Sequence, residues 1–278
     1  MRYQSHRQHL TRVVEDLIAW EALNPAGGAV SVRLPDGNIL MSRTRIAFDR
    51  WKPTVRDFIV LDPNGRIVEQ TGGLGASGTP MHLDLYRLLP KAGAIVHAHA
   101  PYTLAFASLG IPVPSVINRA DMFGNVPCLH ADDTTVKARY LANPTPLDLP
   151  EGMEQRGDVA AISLLEYRPQ LEDMIAPRAA EMERHGLAFT LYRHGAFTVG
   201  REMEETVDLM LRLEESARTA LLQAQLTGGI VYPNRLYSTE TVSVGEAAPP
   251  PAHSVTASTE VSASETAEAA SVAGPSQR

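Results

Sequence analysis

The sequence predicts an α/β domain built on one central sheet, and three observations carry that prediction. Short strand-like stretches alternate with amphipathic helical ones along most of the chain. Two pairs of strands are joined by turns rich in Pro, Asp, Asn and Gly, the residues that reverse a chain tightly. The 278 residues are 44% hydrophobic, enough to bury the core of one large domain.

The elements follow in order. Leu10, Val13, Val14, Leu17, Ile18 and Trp20 recur at three- and four-residue spacing, the mark of a helix, with Asn24-Pro25 as its stop. Val30-Ser31-Val32-Arg33-Leu34 alternates as a strand, turns at residues 35–38 and returns through Ile39-Leu40-Met41. A second hairpin pairs residues 58–61 with 66–68 across Asp62-Pro63-Asn64-Gly65. Residues 71–78 form a glycine-rich loop, and Thr79-Pro80 opens a helix that runs to Leu89.

Residues 94–99 read as a buried strand and residues 101–109 as a short helix directly after it. Residues 113–130 alternate short strands with turns, and the proline-rich stretch 143–157 reads as a loop or lid. A helix over 160–185 must be broken or kinked at Pro169 and Pro177. Residues 188–193 form another strand, ending at His194-Gly195, and residues 202–226 form the last strong helix. The domain is drawn at 1–245. Residues 246–278 are a tail of Ala, Ser, Thr, Glu, Val and Pro without aromatic residues, a composition that predicts disorder.

The net charge of −7 gives no broad basic surface, so neither nucleic acid nor an anionic membrane is an expected partner. No apolar run is long enough to span a bilayer, and the polar first residues do not read as a signal peptide. The single cysteine, Cys128, cannot form an internal disulfide and fits a reducing cytoplasm.

Chemistry concentrates in histidines. Residues i and i+2 of a strand face the same side, so His97 and His99 present two imidazoles together. That pattern alone suits either two ligands of one metal or one core histidine beside an exposed one. Two further observations favour a metal. The surrounding residues 94–100 are small and apolar, and burying two imidazoles there is costly unless their nitrogens are satisfied. His194, at the end of another strand, offers a third nitrogen, and three protein ligands leave positions open for substrate or water.

His97-Ala98-His99-Ala100 resembles the HxH motif of the class II aldolase/adducin family. The stretch from Arg193-His194-Gly195 to Gly200 is similar to that family's His-Gly-Leu-Leu-x-x-Gly segment. The order of elements agrees as well, so the resemblance covers residues 11–226. It implies a single domain with a central, mostly antiparallel sheet flanked by helices, and a metal held by His97, His99 and His194. It also implies a homo-oligomer, commonly a cyclic tetramer with active sites between subunits.

The sequence departs from the family's sugar-phosphate aldolases in three places. Their catalytic glutamate, in a Ser-Ser-Glu loop, is matched here by Gly78 of Ala76-Ser77-Gly78. Their phosphate-cradling Asn is matched by Ala29 of Gly28-Ala29-Val30-Ser31, while Ser42-Arg43-Thr44-Arg45 adds two arginines. Three histidines without that glutamate suit iron(II), a chelating 2-oxoacid and dioxygen. One branch of the family fits these departures: the non-haem iron oxygenases of aminocoumarin antibiotic biosynthesis, which form a prenylated 4-hydroxybenzoate.

The first expectation is therefore an iron(II)-dependent oxygenase. It would decarboxylate a prenylated 4-hydroxyphenylpyruvate-type aromatic oxoacid with dioxygen and use no nucleotide cofactor. Arg43 or Arg45 would clamp the carboxylate. Tyr102 would join the catalytic groups, Ser77 and Gly78 would meet substrate, and Phe48 and Trp51 would wall the ring or prenyl group. The alternatives are a Zn(2+)- or Mn(2+)-dependent class II aldolase, lyase or decarboxylase on a small unphosphorylated oxoacid, and a non-catalytic adducin-like scaffold. Lesser candidates are His82, Arg119, Asp121, His130 with Asp132 and Asp133, Glu214, Glu215, Tyr232 and Tyr237. A solvated loop is the plainer reading for the His130 cluster and surface charge for Glu214 and Glu215, while His82 would approach the metal pocket, Arg119 and Asp121 would contact substrate or a neighbouring subunit, and Tyr232 and Tyr237 would reach an adjacent active site in an oligomer.

Overall fold

The first helix, α1 (Gln4–Ala19), buries Arg7, Leu10, Val13 and Leu17, one residue per turn on a single face. It ends earlier than Asn24-Pro25. Glu21 takes a left-handed conformation (φ 61°), which closes the helix and leaves Trp20 half exposed rather than in the core. Arg7 is fully buried, and its guanidinium donates to the Phe58, Val55 and Arg2 carbonyls and to Glu69. A computed structural model describes residues 1–24, 27–42, 52–69, 79–130 and 167–232. Arg43, Arg45, Phe48, Trp51, Ser77 and Gly78 lie outside the described residues, as do the 143–157 stretch and the 246–278 tail.

The two hairpins form as their turn residues require. β1 (Gly28–Arg33) pairs with β2 (Ile39–Ser42), β2 with β3 (Phe58–Leu61), and β3 with β4 (Ile67–Glu69), all antiparallel. After α2 (Thr79–Leu88), β5 (Ala94–Ala98) returns to pair with β1, and α3 (Pro101–Leu109) follows at once. β6 (Cys128–Leu129) is short and lies parallel to β7 (Leu187–Leu191).

The helix expected over 160–185 is interrupted where its prolines remove backbone donors. From Arg168 it runs as a helical turn, a wider π turn at Leu171–Ile175 and a tight turn at Ala176–Arg178, then α4 (Ala179–His185). A strand that the sequence reading did not assign, β8 (Gly195–Gly200), follows β7 as a hairpin partner and is buried throughout. α5 (Met203–Thr227) closes the fold.

The described strands form one eight-stranded sheet in the order β4-β3-β2-β1-β5-β8-β7-β6, and only the last pair is parallel. Both faces are covered. Leu10, Phe106, Met210 and Leu213 pack helices α1, α3 and α5 on one face. Leu85, Ile175 and Met182 pack α2 and the broken helical segment on the other. β5 and β8 are therefore central and buried, and the HxH strand lies inside the packed core. No helix among the described residues is long and apolar enough to cross a membrane.

Candidate metal centre

Three histidines from two neighbouring loops and a strand meet at one edge of this core. His97 lies on β5, paired with Ala29 of β1 on one side and Phe197 of β8 on the other. Its ring lies flat on Phe197, 4.2 Å between centroids and 13° between planes. Its Nδ1 is 2.9 Å from the Ala196 carbonyl. A carbonyl only accepts, so Nδ1 carries the proton and Nε2 is left as a lone-pair donor to a metal. This is the backbone-held histidine arrangement that orients metal ligands.

His99 stands one residue past the end of β5. Its carbonyl, released from the sheet ladder, accepts from Asn24 Nδ2 at 2.8 Å, which holds this turn of backbone to the end of the α1 segment. Its imidazole lies against Gly27, where a Cβ would fall 2.4 Å from Cε1 and 2.8 Å from Nδ1. Only glycine leaves room for that ring.

His194 occupies the turn between β7 and β8. Arg193 before it is left-handed (φ 56°) and donates its N–H to the Ala107 carbonyl of α3, while the His194 N–H bonds back to Leu191. Gly195 after it passes close to the other two histidines. A Cβ there would fall 2.5 Å from the Ala98 carbonyl oxygen, 2.9 Å from His99 Cδ2 and 3.2 Å from His97 Cε1.

The result is a compact nitrogen triad. The three ring centroids are 5.0 Å apart in every pairing, and one nitrogen from each ring lies within 4.8 Å of the others. His97 Nε2 and His99 Nε2 are 3.2 Å apart. Ligands at about 2.0–2.1 Å from a tetrahedral zinc lie about 3.3 Å from each other, so the spacing fits one shared cation. Burial, then the neighbouring His194 and His99, hold His97 far below its ordinary histidine value. Neutral imidazole is the form that ligates metal. The donor set and its geometry therefore fit a divalent metal with open positions.

The remaining candidates are placed as follows. Tyr102 is 39% exposed, with the Arg218 guanidinium of α5 5.8 Å from its ring, and no ring contact joins it to the histidines among the described residues. Glu214 is not a free surface charge, because its carboxylate accepts the N–H groups of Tyr102 and Thr103. His130 stacks on Tyr192 and bonds the Gly110 carbonyl, while Asp132, Asp133 and Tyr237 lie outside the described residues. The Arg119 carbonyl accepts from Arg212, Asp121 accepts from Ser115, and Tyr232 donates to the Pro112 carbonyl. Glu215 faces Arg218 at 3.9 Å on the surface of α5. His82 is fully buried on α2, on the same sheet face as His97. The residues that sequence reasoning missed are Asn24, Gly27 and Gly195, which hold or make space for ligands. Only the Gly after His194 left a local signal.

Comparison with known proteins agrees with this geometry. Residues 8–221 match the family described as Class II Aldolase and Adducin N-terminal domain. The chain is 26% identical over 207 residues to L-ribulose-5-phosphate 4-epimerase UlaF of Salmonella paratyphi A, covering 73% of this chain and 78% of the relative. Among solved structures it resembles an L-fuculose 1-phosphate aldolase, with TM-score 0.62 and 21% identity over 84% of this chain and 93% of that one. It also resembles YgbL of Escherichia coli, a putative aldolase/epimerase/decarboxylase, with TM-score 0.59 and 22% identity over 83% and 94%.

Proposed function

Since the chain belongs to the class II aldolase and adducin family, we propose that it is a divalent-metal-dependent lyase of the aldolase type, acting on a small unphosphorylated oxoacid. The observation that carries this reading is the convergence of His97, His99 and His194, with the His97 tautomer set for ligation. A divalent cation held there, zinc or manganese by the family's habit and the donor set, would supply Lewis acidity toward a substrate carbonyl. The protein's share is to hold three imidazoles close together at the end of a central sheet.

The named relatives support a lyase or epimerase over an oxygenase, which reverses the order in which the sequence ranked them. The departures at Ala29 and Gly78 support a substrate that differs from the sugar phosphates in those names. Ala29 is opposite His97 in the β1–β5 pairing, so an apolar methyl stands beside that histidine where the aldolases carry an amide. Gly78 has no proton to give, so another group must take over the glutamate's part.

That same Gly78 favours the iron oxygenase as a second reading, because a chelating oxoacid and dioxygen need no such carboxylate. The experiment separates the two. Anaerobically purified protein is loaded in turn with Zn(2+), Mn(2+) and Fe(2+) and given small 2-oxo and 2-hydroxy acids, then 4-hydroxyphenylpyruvate with and without a 3-prenyl group. Carbon–carbon cleavage that persists without oxygen is the expected result. Turnover only with iron and oxygen, with carbon dioxide released from the aromatic oxoacid, would replace the lyase with the oxygenase.

A further inference from the structure

A buried chain of polar groups runs beside the metal centre and ends in an unanswered nitrogen. Tyr86 OH is 2.9 Å from Ser31 Oγ, and Ser31 Oγ is 2.7 Å from His82 Nδ1. All three side chains are buried. His82 Nε2 has no hydrogen-bond partner among the described residues.

The protons in this chain can be ordered by elimination. If His82 donated from Nδ1 to Ser31, one of the two hydroxyl hydrogens would have no acceptor within the chain. One order uses both hydroxyl hydrogens within the chain: Tyr86 donates to Ser31, and Ser31 donates to His82 Nδ1. Burial pushes the His82 imidazole down to about 3, so it is neutral and carries a single N–H. In that order the N–H is at Nε2, and His82 is a hydrogen-bond donor with no acceptor among the described residues.

The sheet says where this donor lies. Ser31 is on β1, opposite Ile95, and Phe197 is on β8, opposite His97, while β5 runs between them. His82 touches both Ser31 and Phe197, so its ring lies across β5, over the face that carries Ile95 and His97. Phe197 cannot receive the N–H on its π face. One face is covered by His97 from β5 (13° between planes) and the other by Phe189 from β7 (3° between planes), so His82 meets only the ring's edge.

We propose that His82, locked by Ser31 and Tyr86, is a substrate-binding residue whose Nε2–H donates to an oxygen of the ligand bound at the His97–His99–His194 centre. The proposal rests on the metal-centre reading above. It assigns a donor on the sheet face that carries His97 and that α2 covers, for an acceptor such as a carbonyl, enolate or carboxylate oxygen. A donor of this kind costs no reorganisation when charge develops on that oxygen.

The test uses the full-length, zinc-loaded protein and acetohydroxamate, a small chelating probe with two oxygen atoms. Nitrogen-15 NMR of the imidazoles reports the tautomer of His82, assigned by the signal missing in His82→Gln. The expected result is an Nε2-protonated His82 whose N–H signal moves downfield when the probe binds. In His82→Phe, which keeps the bulk, the probe's Kd rises about tenfold while zinc stoichiometry is unchanged. Ser31→Ala, which removes the donor to Nδ1, is expected to weaken the Nε2–H preference without touching zinc. An Nδ1-protonated ring, or a signal and a Kd that ignore the probe and the substitution, would overturn the proposal with the metal centre intact. Wild-type protein that takes up no zinc would instead sink the metal reading itself. If His82→Phe does not fold, the wild-type NMR result decides alone.

Discussion

Glu214, in the middle of α5, caps the first turn of α3 through Thr103. Its Oε2 accepts the Thr103 N–H at 2.8 Å and the Thr103 hydroxyl at 2.6 Å, while its Oε1 takes the Tyr102 N–H at 2.8 Å. The first N–H groups of a helix have no partner within it, and a carboxylate there also meets the positive end of the helix dipole. α3 follows the HxH motif after one residue, so this cap also anchors the chain that carries His99.

Replacing Glu214 with Ala is expected to cost about 1–3 kcal/mol, because two backbone donors and a hydroxyl lose a charged acceptor. Thermal unfolding checks this, with a fall of roughly 2–4 °C for each kcal/mol in a chain of this size. A Glu214→Ala protein as stable as wild type would show that water replaces the cap at no cost.

His194→Ala is expected to abolish metal uptake. It removes one of three nitrogens, and the two that remain share a single strand and its exit. Metal content after dialysis against one equivalent of zinc gives the answer. Full occupancy in the variant would refute the ligand set.

Gly27→Ala tests the space around His99 and not a ligand directly. The new methyl would sit 2.4 Å from the His99 ring, so the ring must swing away from the shared point. Metal affinity is expected to fall about 10–100-fold, as for the loss of a residue that orients a ligand, with folding retained. Isothermal titration with zinc reads it, and unchanged affinity would mean that the His99 ring is free to adjust.

These residues also show what the sequence could and could not announce. The alternation from Val30 to Leu34 and the turn at Asn64-Gly65 are local patterns that led to the right elements, and the i, i+2 spacing of His97 and His99 is a local pattern that brings two imidazoles together. β8 was passed over because a six-residue run bounded by Gly195 and Gly200 reads as loop until β5 and β7 are placed on either side of it. Asn24 and His99 are 75 residues apart, and Thr103 and Glu214 are 111 apart. Such pairs exist only through the tertiary fold, and nothing in the spacing of one polar residue foretells its partner.

Arg7→Met should destabilise the chain by about 2–3 kcal/mol, although it replaces a buried charge with an apolar group. The guanidinium donates to the Phe58 carbonyl at 2.7 Å and the Arg2 carbonyl at 2.8 Å, and it pairs with Glu69 at 3.2 Å. Burial lowers the Arg7 pKa, with Glu69 opposing, so the arginine carries a desolvation cost that methionine would relieve. The loss wins because the Phe58 carbonyl bond is itself buried and methionine offers it nothing. Urea unfolding decides the sign, and a more stable variant would show that desolvation of the charge outweighs its hydrogen bonds.

His82 gives the protein a defined acid sensitivity. Burial sets its folded value at about 3, against 6.5 for a free histidine. The unfolded chain therefore takes up this proton first as pH falls. Its stabilising share is complete above pH 6.5 and is lost as pH drops through the window from 6.5 towards 3, by about 1.4 kcal/mol for each unit. His97 is depressed in the same direction, so the wild-type slope alone does not isolate one residue. The comparison with His82→Phe does, because both proteins keep His97. With metal removed by a chelator, urea unfolding between pH 6.5 and 4.5 is expected to show a shallower loss of stability in the variant. Parallel slopes would mean that His82 is reached by water or protons in the folded state, and the fixed tautomer assigned to it would fall with that result.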